Sequence, residues 1–378
     1  MRTSLAPLLR RATVGVLALA TLWTPNPASA APPVPVAPAA PATPAAPAAE
    51  APSLPFAERY KATQHGGIVR AANTSISCRA ETAGCAEARA GRRTAELPPA
   101  NGDFDMFYVD VDDDPNTYNS SRAEVRLPEG SRVTYARLYW GGNLRVGEQK
   151  PPKDNGRVLI AEPGGSYKAL LADTVTGHRV AGGADAFQAS ADVTKLVRES
   201  GSGLYTVAQV NVAMGKSAAG AWGGWTLVVA YDNRNEPLRH LSLWDGFDTL
   251  NAKRGHEVTL KGRALKAHAG GYAGLVAYNG DPGRTGDSLM FSTGVGRETA
   301  LSDAANPGDD VLNSTISEPG EAPAAREPAY ARTLGYDSDV FDLSEGLRRG
   351  GDQAGFRLVS SRDAAWAGAL FVAVDARQ

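Results

Sequence analysis

Cysteine is almost missing from this sequence. The 378 residues include 2 cysteines, so a disulfide-dense scaffold is excluded and the core must come from side-chain packing. Six residues separate Cys78 from Cys85. A metal pair or a reactive thiol is one interpretation, but no histidine and no second cysteine pair lies nearby at zinc-site spacing. We therefore predict one structural disulfide.

The net charge is also small, and histidines are few. With 39 basic and 41 acidic side chains the net charge is −2, which lacks the electrostatic footprint of a nucleic-acid-binding protein. The 5 histidines are scattered and their spacing gives no Ser-His-Asp set. Gly286-Asp287-Ser288-Leu289 spells an esterase tetrapeptide without the Asp-x-x-His that would complete it, so we predict a loop and strand start there. No catalytic residue is proposed, although a pair of glycosidase carboxylates stays open.

Long apolar runs are confined to the start of the chain. Residues 1–30 have a basic beginning, a short apolar stretch and the small-residue end Ala28-Ser29-Ala30, which is typical of a signal peptide. Residues 31–55 are nearly all alanine and proline and predict an extended linker. No later segment is long enough to span a bilayer, so the mature chain is expected to be secreted and extracellular, with cell-wall association as an option.

The rest of the sequence has the pattern of short strands separated by turns. Its 41 glycines and 25 prolines favour turns, and residues 221–232 run from glycines through a β-branched stretch to Tyr231 and Asp232. Residues 365–375 echo that stretch, and four further segment pairs recur in the same order. We predict an all-β fold of two tandem antiparallel β-sandwich units, jelly-roll-like or alternatively immunoglobulin-like.

The predicted boundaries follow from these segments. Residues 56–100 form a lead-in strand with the cysteine loop, 101–233 the first sandwich unit, and 234–378 the second. Within the second unit, residues 294–331 are rich in Pro, Gly, Ser and acidic side chains and predict a loop insertion, where function commonly resides.

Four segments combine aromatic, glycine and acidic residues: Phe107-Tyr108-Val109-Asp110-Val111-Asp112, Leu138-Tyr139-Trp140-Gly141-Gly142, Gly223-Gly224-Trp225-Thr226-Leu227-Val228-Val229-Ala230-Tyr231 and Trp244-Asp245-Gly246-Phe247. Together they resemble the N-terminal region of large secreted actinobacterial surface proteins. In that family the region is usually followed by repeats of an uncharacterised β-sandwich domain and a wall or membrane anchor. The resemblance implies a surface location and no established activity.

One acidic stretch is a candidate calcium site. Calcium prefers several carboxylate and carbonyl oxygens from a flexible loop. The spacing does not match an EF-hand, and an ordinary acidic turn is the alternative. A second, weaker candidate loop contains Asn279, Asp281 and Asp287. The residues of the first candidate are Asp110, Asp112, Asp113, Asp114, Asn116 and Asn119.

Tryptophan supplies the remaining candidate ligand surface. Trp140, Trp222, Trp225, Trp244 and Trp366 lie in or beside strand-like segments, which favours core positions over a sugar-stacking platform. Trp222 and Trp366 precede their strands, so we expect these two to be partly exposed and to be the candidate ligand-binding residues.

These observations favour a non-enzymatic, secreted surface or adhesion-like protein. The expected partner is a cell-wall glycan or a surface protein, calcium is the only candidate cofactor, and neither nucleic acid nor a transmembrane span is expected in the mature chain. The alternative is a secreted carbohydrate-binding or carbohydrate-active jelly-roll protein.

Overall fold

Strands make up 48% of the residues that the structure describes and helices 7%, which confirms the predicted all-β sandwich class. The computed structural model describes residues 46, 48–51, 54–92, 98–250, 256–260, 264–320, 324–362 and 364–376, with the main chain alone for 178–179 and 256–260. The predicted signal peptide and most of the predicted linker lie outside these residues. Neither α-helix in the described ranges is long and apolar enough to cross a membrane.

The strands follow one another with short connections. In the first half they are β1 (Glu50–Ala51), β2 (Leu54–Thr74), β3 (Ile76–Cys78), β4 (Met106–Tyr108), β5 (Ser120–Val125), β6 (Arg132–Asn143), β7 (Arg157–Ala161), β8 (Lys168–Leu171), β9 (Thr174–Ala181), β10 (Ala184–Asp192), β11 (Gly203–Ala208) and β12 (Gly223–Asp232). In the second half they are β13 (Leu238–Thr249), β14 (His256–Leu260), β15 (Gly271–Tyr278), β16 (Asp287–Ser292), β17 (Thr299–Ala300), β18 (Arg326–Glu327), β19 (Tyr336–Asp342), β20 (Ala354–Ser360) and β21 (Trp366–Asp375).

Helical turns are few among the described residues. The α-helices are α1 (Cys85–Arg89) and α2 (Thr194–Ser200), and single 3₁₀ turns occupy Asn101–Asp103, Pro152–Asp154 and Gly346–Arg349. The Asp192 carboxylate accepts the Thr194 main-chain N–H at 2.8 Å just before α2, as Asp does in local turns. Asp342 does the same for Ser344 at 2.7 Å in the second half.

The strands build four layers. One ten-stranded sheet has the order β1-β9-β10-β6-β12-β2-β13-β21-β15-β19. We call its part from β1 to β2 the first inner sheet and its part from β2 to β19 the second inner sheet. One outer sheet, β18-β5-β11-β7-β8, covers the first inner sheet, and the other, β14-β20-β16-β17, covers the second. β3 and β4 form a separate small hairpin sheet, held to α1 by the predicted Cys78–Cys85 disulfide.

β2 belongs to both inner sheets. Its residues 54–65 pair with β13 and its residues 66–74 pair with β12. The change of partner occurs at Gly66, which has φ +133°, and a Cβ there would lie 2.0 Å from the carbonyl oxygen of Tyr231. Only glycine fits this crossing. The predicted lead-in strand is therefore a central strand of the fold, and β1 and the start of β2 occupy the end of the predicted linker.

The alternation of side chains explains the layers. In β6, Leu138 and Trp140 face the first outer sheet and join one core, whereas Tyr139 between them faces the second inner sheet. All three are fully buried. A strand that is buried on both faces has a nearly continuous apolar sequence, as Leu138–Trp140 has.

Three hydrophobic clusters correspond to the three spaces between the four layers. The second sandwich has its own core, which includes Phe291, Phe356 and Leu370. The third cluster joins the inner faces of the two inner sheets and includes Val228, Phe371 and Tyr278. The two sandwiches are thus packed back to back.

Strand pairing follows the same plan in both halves. β6 lies between β10 and β12, and β15 lies between β19 and β21. β5 pairs with β11, and β14 pairs with β20. The predicted insertion adds a connection between the halves, because β18 within it pairs with β5 of the first sandwich.

Candidate functional site

A groove runs along the second half of β2, where the two sandwiches meet. β13 stops pairing with β2 at His65, so one edge of residues 66–74 has no strand beside it in the described part of the chain. Two cavities of about 530 Å³ and 370 Å³ open along this edge. They share Val69, Arg70, Tyr272 and Glu318, and we call them together the junction groove.

Tyr272 of β15 anchors the edge of β2 that faces the groove. Its hydroxyl accepts the Ile68 N–H at 2.8 Å and donates to the Ile68 carbonyl at 2.9 Å, in the place of a neighbouring strand. Burial raises the pKa of Tyr272. The hydroxyl therefore stays neutral and keeps both hydrogen bonds at ordinary pH.

Arg239 of β13 fixes the end of the groove next to the Gly66 crossing. Its Nη1 donates to the Gly66 carbonyl at 2.6 Å and to Glu236 at 3.1 Å, and its Nε donates to Asp375 at 3.1 Å. These contacts hold the Arg239 guanidinium in place. Tyr231 lines the groove beside it. The wall at this end is consequently rigid and carries charges of both signs.

The predicted insertion supplies the opposite wall. Glu318 lines both lobes, Ala324 lines the larger lobe, and Pro319 lines the smaller one. The insertion was expected from its sequence to carry function, but Arg70, Tyr231 and Tyr272 were not among the predicted residues. The available signal was Arg70 itself, a charged residue inside the otherwise apolar run Ile68–Ala72.

A buried carboxyl pair lies beneath the insertion. Asp337 and Asp339 of β19 are both fully buried. Asp339 Oδ1 accepts hydrogen bonds from the Ser317 N–H, the Ser317 hydroxyl and the Thr315 hydroxyl at 2.8–2.9 Å. Burial and the neighbouring carboxyl raise the pKa of Asp337, and burial raises that of Asp339 to about 7. Because neither side chain reaches solvent, this pair is not placed to act on a bound substrate.

The acidic stretch predicted to bind calcium forms a turn, and its carboxylate oxygens accept hydrogen bonds from nearby protein groups. Asp110 Oδ1 accepts the Ser120 hydroxyl at 2.7 Å. Asp112 Oδ1 accepts the Asp114 N–H at 3.0 Å and the Thr117 hydroxyl at 3.2 Å, and its other oxygen contacts the Tyr167 hydroxyl.

The remaining members of this stretch are arranged in the same way. Asp114 Oδ1 accepts the main-chain and side-chain N–H groups of Asn116 at 2.9 Å and 2.8 Å, and Asp113 is exposed. Asn119 is fully buried and bonds the main chain of Val210. Among the residues with described side chains, no group of three or more His, Cys, Asp or Glu is arranged to hold a metal ion. The geometry matches the alternative of turn bonding, and calcium binding remains the competing hypothesis.

The second candidate loop is dispersed. Asn279 bonds Asn101 at 3.0 Å and the Ala364 carbonyl at 2.8 Å. Asp281 forms an ion pair with Arg284 at 3.2 Å. Asp287 is fully buried, accepts the Ser360 hydroxyl at 3.1 Å, and opens β16, so the esterase-like tetrapeptide is a loop and strand start as predicted.

The expected exposure of Trp222 and Trp366 is wrong. Both indoles are fully buried, and their ring centroids lie 5.0 Å apart in the cluster between the inner sheets. The loop at Gly335 lies directly against Trp222, since a Cβ on Gly335 would be 2.5 Å from the Trp222 Cβ. The preference for core positions is confirmed, because Trp140, Trp225 and Trp244 are buried as well.

The known proteins that this chain is similar to do not identify a function. No curated protein matches the sequence. A chain from the structure of the Sulfolobus turreted icosahedral virus aligns at 8% identity and TM-score 0.22, with coverage of 67% of this protein and 86% of that chain. A chain from the cryo-EM structure of the Sputnik virophage aligns at 7% identity and TM-score 0.17, with coverage of 84% and 88%. Residues 103–269, less than half of the chain, match a family described as a protein of unknown function (DUF3344).

Proposed function

We propose that this protein is an exported, non-enzymatic surface module that binds an extracellular ligand in the junction groove. The observation that carries the proposal is the groove itself, with lobes of about 530 Å³ and 370 Å³ at the meeting line of two sandwiches. Ligand sites commonly have about 300–1,000 Å³ and often form where two packed units meet.

The chemistry of the groove favours a polar partner. The larger lobe combines cationic and anionic side chains with tyrosine rings, among them Arg126, Arg239, Glu236 and Tyr231. Side chains of this kind hydrogen-bond to hydroxyl, amide and carboxyl groups of a glycan or a protein segment. The five indoles that the structure describes are buried, and none of them lines the groove.

The location is part of the proposal. The signal-peptide pattern of residues 1–30 and the Ala/Pro stretch that follows support export and a spacer. The resemblance to N-terminal regions of actinobacterial surface proteins supports a place at the cell wall. The partner we propose is accordingly a wall glycan or a neighbouring surface protein.

A double variant of the groove tests this function. Arg126→Glu and Ser344→Trp change one residue in each lobe, and both side chains are exposed, so folding should survive. Binding of the purified full chain to isolated bacterial cell walls and to a glycan array would be compared with that of the double variant. We expect binding to fall at least tenfold.

Matched changes away from the groove provide the control. Arg145→Glu and Ser166→Trp alter two exposed residues outside both lobes and should leave binding unchanged. Equal binding by the unaltered chain and both double variants would reject the junction groove as the binding site. Hydrolysis of a glycan or ester by the purified chain, abolished by one Asp, Glu or Ser substitution, would reject a non-enzymatic function.

A further inference from the structure

A pocket lined by three arginines lies at the surface of the second sandwich. One wall is the loop between β16 and β17, and the other is the 3₁₀ turn Gly346–Arg349. The loop contributes Arg297, and the turn contributes Arg348 and Arg349. The space between the walls is about 280 Å³, and we call it the arginine pocket.

The backbone of the 3₁₀ turn keeps its arginines at the surface. Leu347 is fully buried in the core of the second sandwich, whereas its neighbours Arg348 and Arg349 are exposed. Gly346 lets the turn lie close to β16, because a Cβ there would be 2.4 Å from the Phe291 ring. The turn is therefore fixed to the core by one side, and its two arginines face solvent on the other.

The three guanidinium groups of the arginine pocket are available to a ligand. None of them forms an ion pair or a side-chain hydrogen bond with another residue in the part of the chain that the structure describes. All three arginines are exposed, so a molecule in solution can reach their charged ends. The Arg349 guanidinium lies against the loop, since a Cβ on Gly296 would be 3.1 Å from its Nη1.

Two acidic side chains also line the arginine pocket. Glu298 forms an ion pair with Arg357 of β20, which lies outside the lining. Glu345 is exposed and opposes the positive charge. Because the three arginines outnumber the two acids and one acid is paired with an arginine outside the lining, the pocket favours a negatively charged ligand.

A phosphate group fits three guanidinium groups better than a carboxylate does. Its oxygens point in tetrahedral directions and can meet more than one guanidinium, whereas a single arginine can bind both oxygens of a planar carboxylate. Exposed ion pairs are individually weak and are screened by salt. A polymer that repeats the phosphate compensates for this weakness, because a second phosphate of the same chain reaches a neighbouring arginine at high effective concentration.

The lining does not favour a membrane as the source of the phosphate. Among the described residues of the pocket wall, Val295 is the one exposed large apolar side chain. Binding in a lipid interface depends on a wider apolar face that enters the acyl boundary. The source that fits the pocket is therefore a polymer in water.

We propose that the arginine pocket binds phosphodiester groups of an extracellular anionic polymer through Arg297, Arg348 and Arg349. The pocket shares no lining residue with the junction groove, so this is a second site. The inference goes beyond the proposed function and rests on it for the extracellular location alone.

Calorimetric titration of the purified full chain with poly(glycerol phosphate), at constant ionic strength, tests the proposal. Polygalacturonate is the carboxylate polymer for comparison, dextran is the neutral polymer, and phosphatidylglycerol vesicles present the same phosphodiester from a membrane. We expect poly(glycerol phosphate) to bind more tightly than polygalacturonate and the vesicles, and dextran not to bind. Added salt should weaken the binding.

Charge variants of the pocket give expected effects of opposite sign. Arg348→Gln/Arg349→Gln removes two cations from exposed positions, so the fold should survive and the affinity for poly(glycerol phosphate) should fall about tenfold. Glu345→Gln removes the opposing charge and should raise that affinity about twofold. The control Arg145→Gln/Arg234→Gln removes two exposed arginines outside the pocket and should leave the affinity unchanged.

Several results would overturn the proposal: no binding of poly(glycerol phosphate), equal binding of polygalacturonate, tighter binding to the vesicles, or unchanged affinity of Arg348→Gln/Arg349→Gln. If phosphodiester binding is absent while Arg126→Glu/Ser344→Trp still reduces binding to cell walls, this inference fails and the proposed function stands. If phosphodiester binding requires the two arginines while the groove variant binds cell walls and glycans as the unaltered chain does, the proposed function fails and this inference stands.

Discussion

The Tyr139 hydroxyl donates to Asp245 Oδ2 at 2.9 Å and so links the two inner sheets across their packed faces. Tyr139 is fully buried and Asp245 is 1% exposed. Asp245 also accepts two hydrogen bonds from Arg59 Nε and one from its Nη2. A buried carboxylate is thus stabilised by donors from both sandwiches.

Loss of the Tyr139 hydroxyl should lower the stability of the protein. Tyr139→Phe removes one donor from a buried carboxylate, and we expect the free energy of unfolding to fall by about 1–3 kcal/mol. Denaturant unfolding measures the change. Tyr118→Phe is the control, because Tyr118 is at the surface and the hydrogen bond from its hydroxyl to the Val210 carbonyl is long, at 3.4 Å. Equal effects of the two changes would contradict the assigned role of Tyr139.

The crossing of β2 should tolerate no side chain. Gly66→Ala would combine a positive φ with a Cβ placed 2.0 Å from the Tyr231 carbonyl oxygen. We expect a loss of more than about 3 kcal/mol, or failure to fold. Gly130→Ala has a positive φ but open space around its Cβ, so it should cost only about 1 kcal/mol. Similar losses from both variants would show that backbone strain alone acts at Gly66.

Stability should decrease as pH rises through the range in which Asp339 titrates. The folded-state pKa of about 7 is above the value near 4 of an unfolded aspartate, so the native state binds the additional proton between these limits. The free energy of unfolding therefore falls from about pH 4 to about pH 7, and Asp337 adds a change in the same direction.

Asp339→Asn tests this pH dependence because the amide oxygen can still accept from Ser317. The fall in stability between pH 4 and 7 should become smaller in this variant, as followed by urea unfolding at several pH values. Asp309→Asn, at an exposed position, should keep the wild-type profile. An unchanged profile for Asp339→Asn would assign the pH dependence to other groups.

Calcium should not change the thermal midpoint of the full chain. The carboxylates at Asp112 and Asp114 already accept hydrogen bonds within their turn, and a ligand raises the midpoint only when it binds the folded state. Unfolding in calcium and in chelator is the measurement, with Asp112→Asn/Asp114→Asn as the comparison. A calcium-dependent rise of the midpoint that is absent from this double variant would favour the calcium-site interpretation instead.

The strands themselves were predictable from local pattern. The apolar runs at residues 221–232 and 365–375 became β12 and β21, and the segments matched between the halves became strands or turns with the same pairing. Period-two alternation and turn residues act over a few positions, so a sequence displays them directly.

The junction groove could not be predicted in this way. It depends on β2 pairing with β12 and β13, and on β18 reaching β5, contacts that join residues far apart in the chain. Burial of Trp222 and Trp366 has the same origin, because the second inner sheet and the loop at Gly335 cover them. Local sequence does not specify which distant surface covers a given side chain.

The shared strand also determines how the molecule would carry tension. β2 is hydrogen-bonded to β13 over its first half and to β12 over its second, so a pull on its N-terminal end acts parallel to both ladders. Many hydrogen bonds must then slide together, instead of opening one at a time as at the end of a hairpin. A strand with this placement distributes mechanical load over both sandwiches.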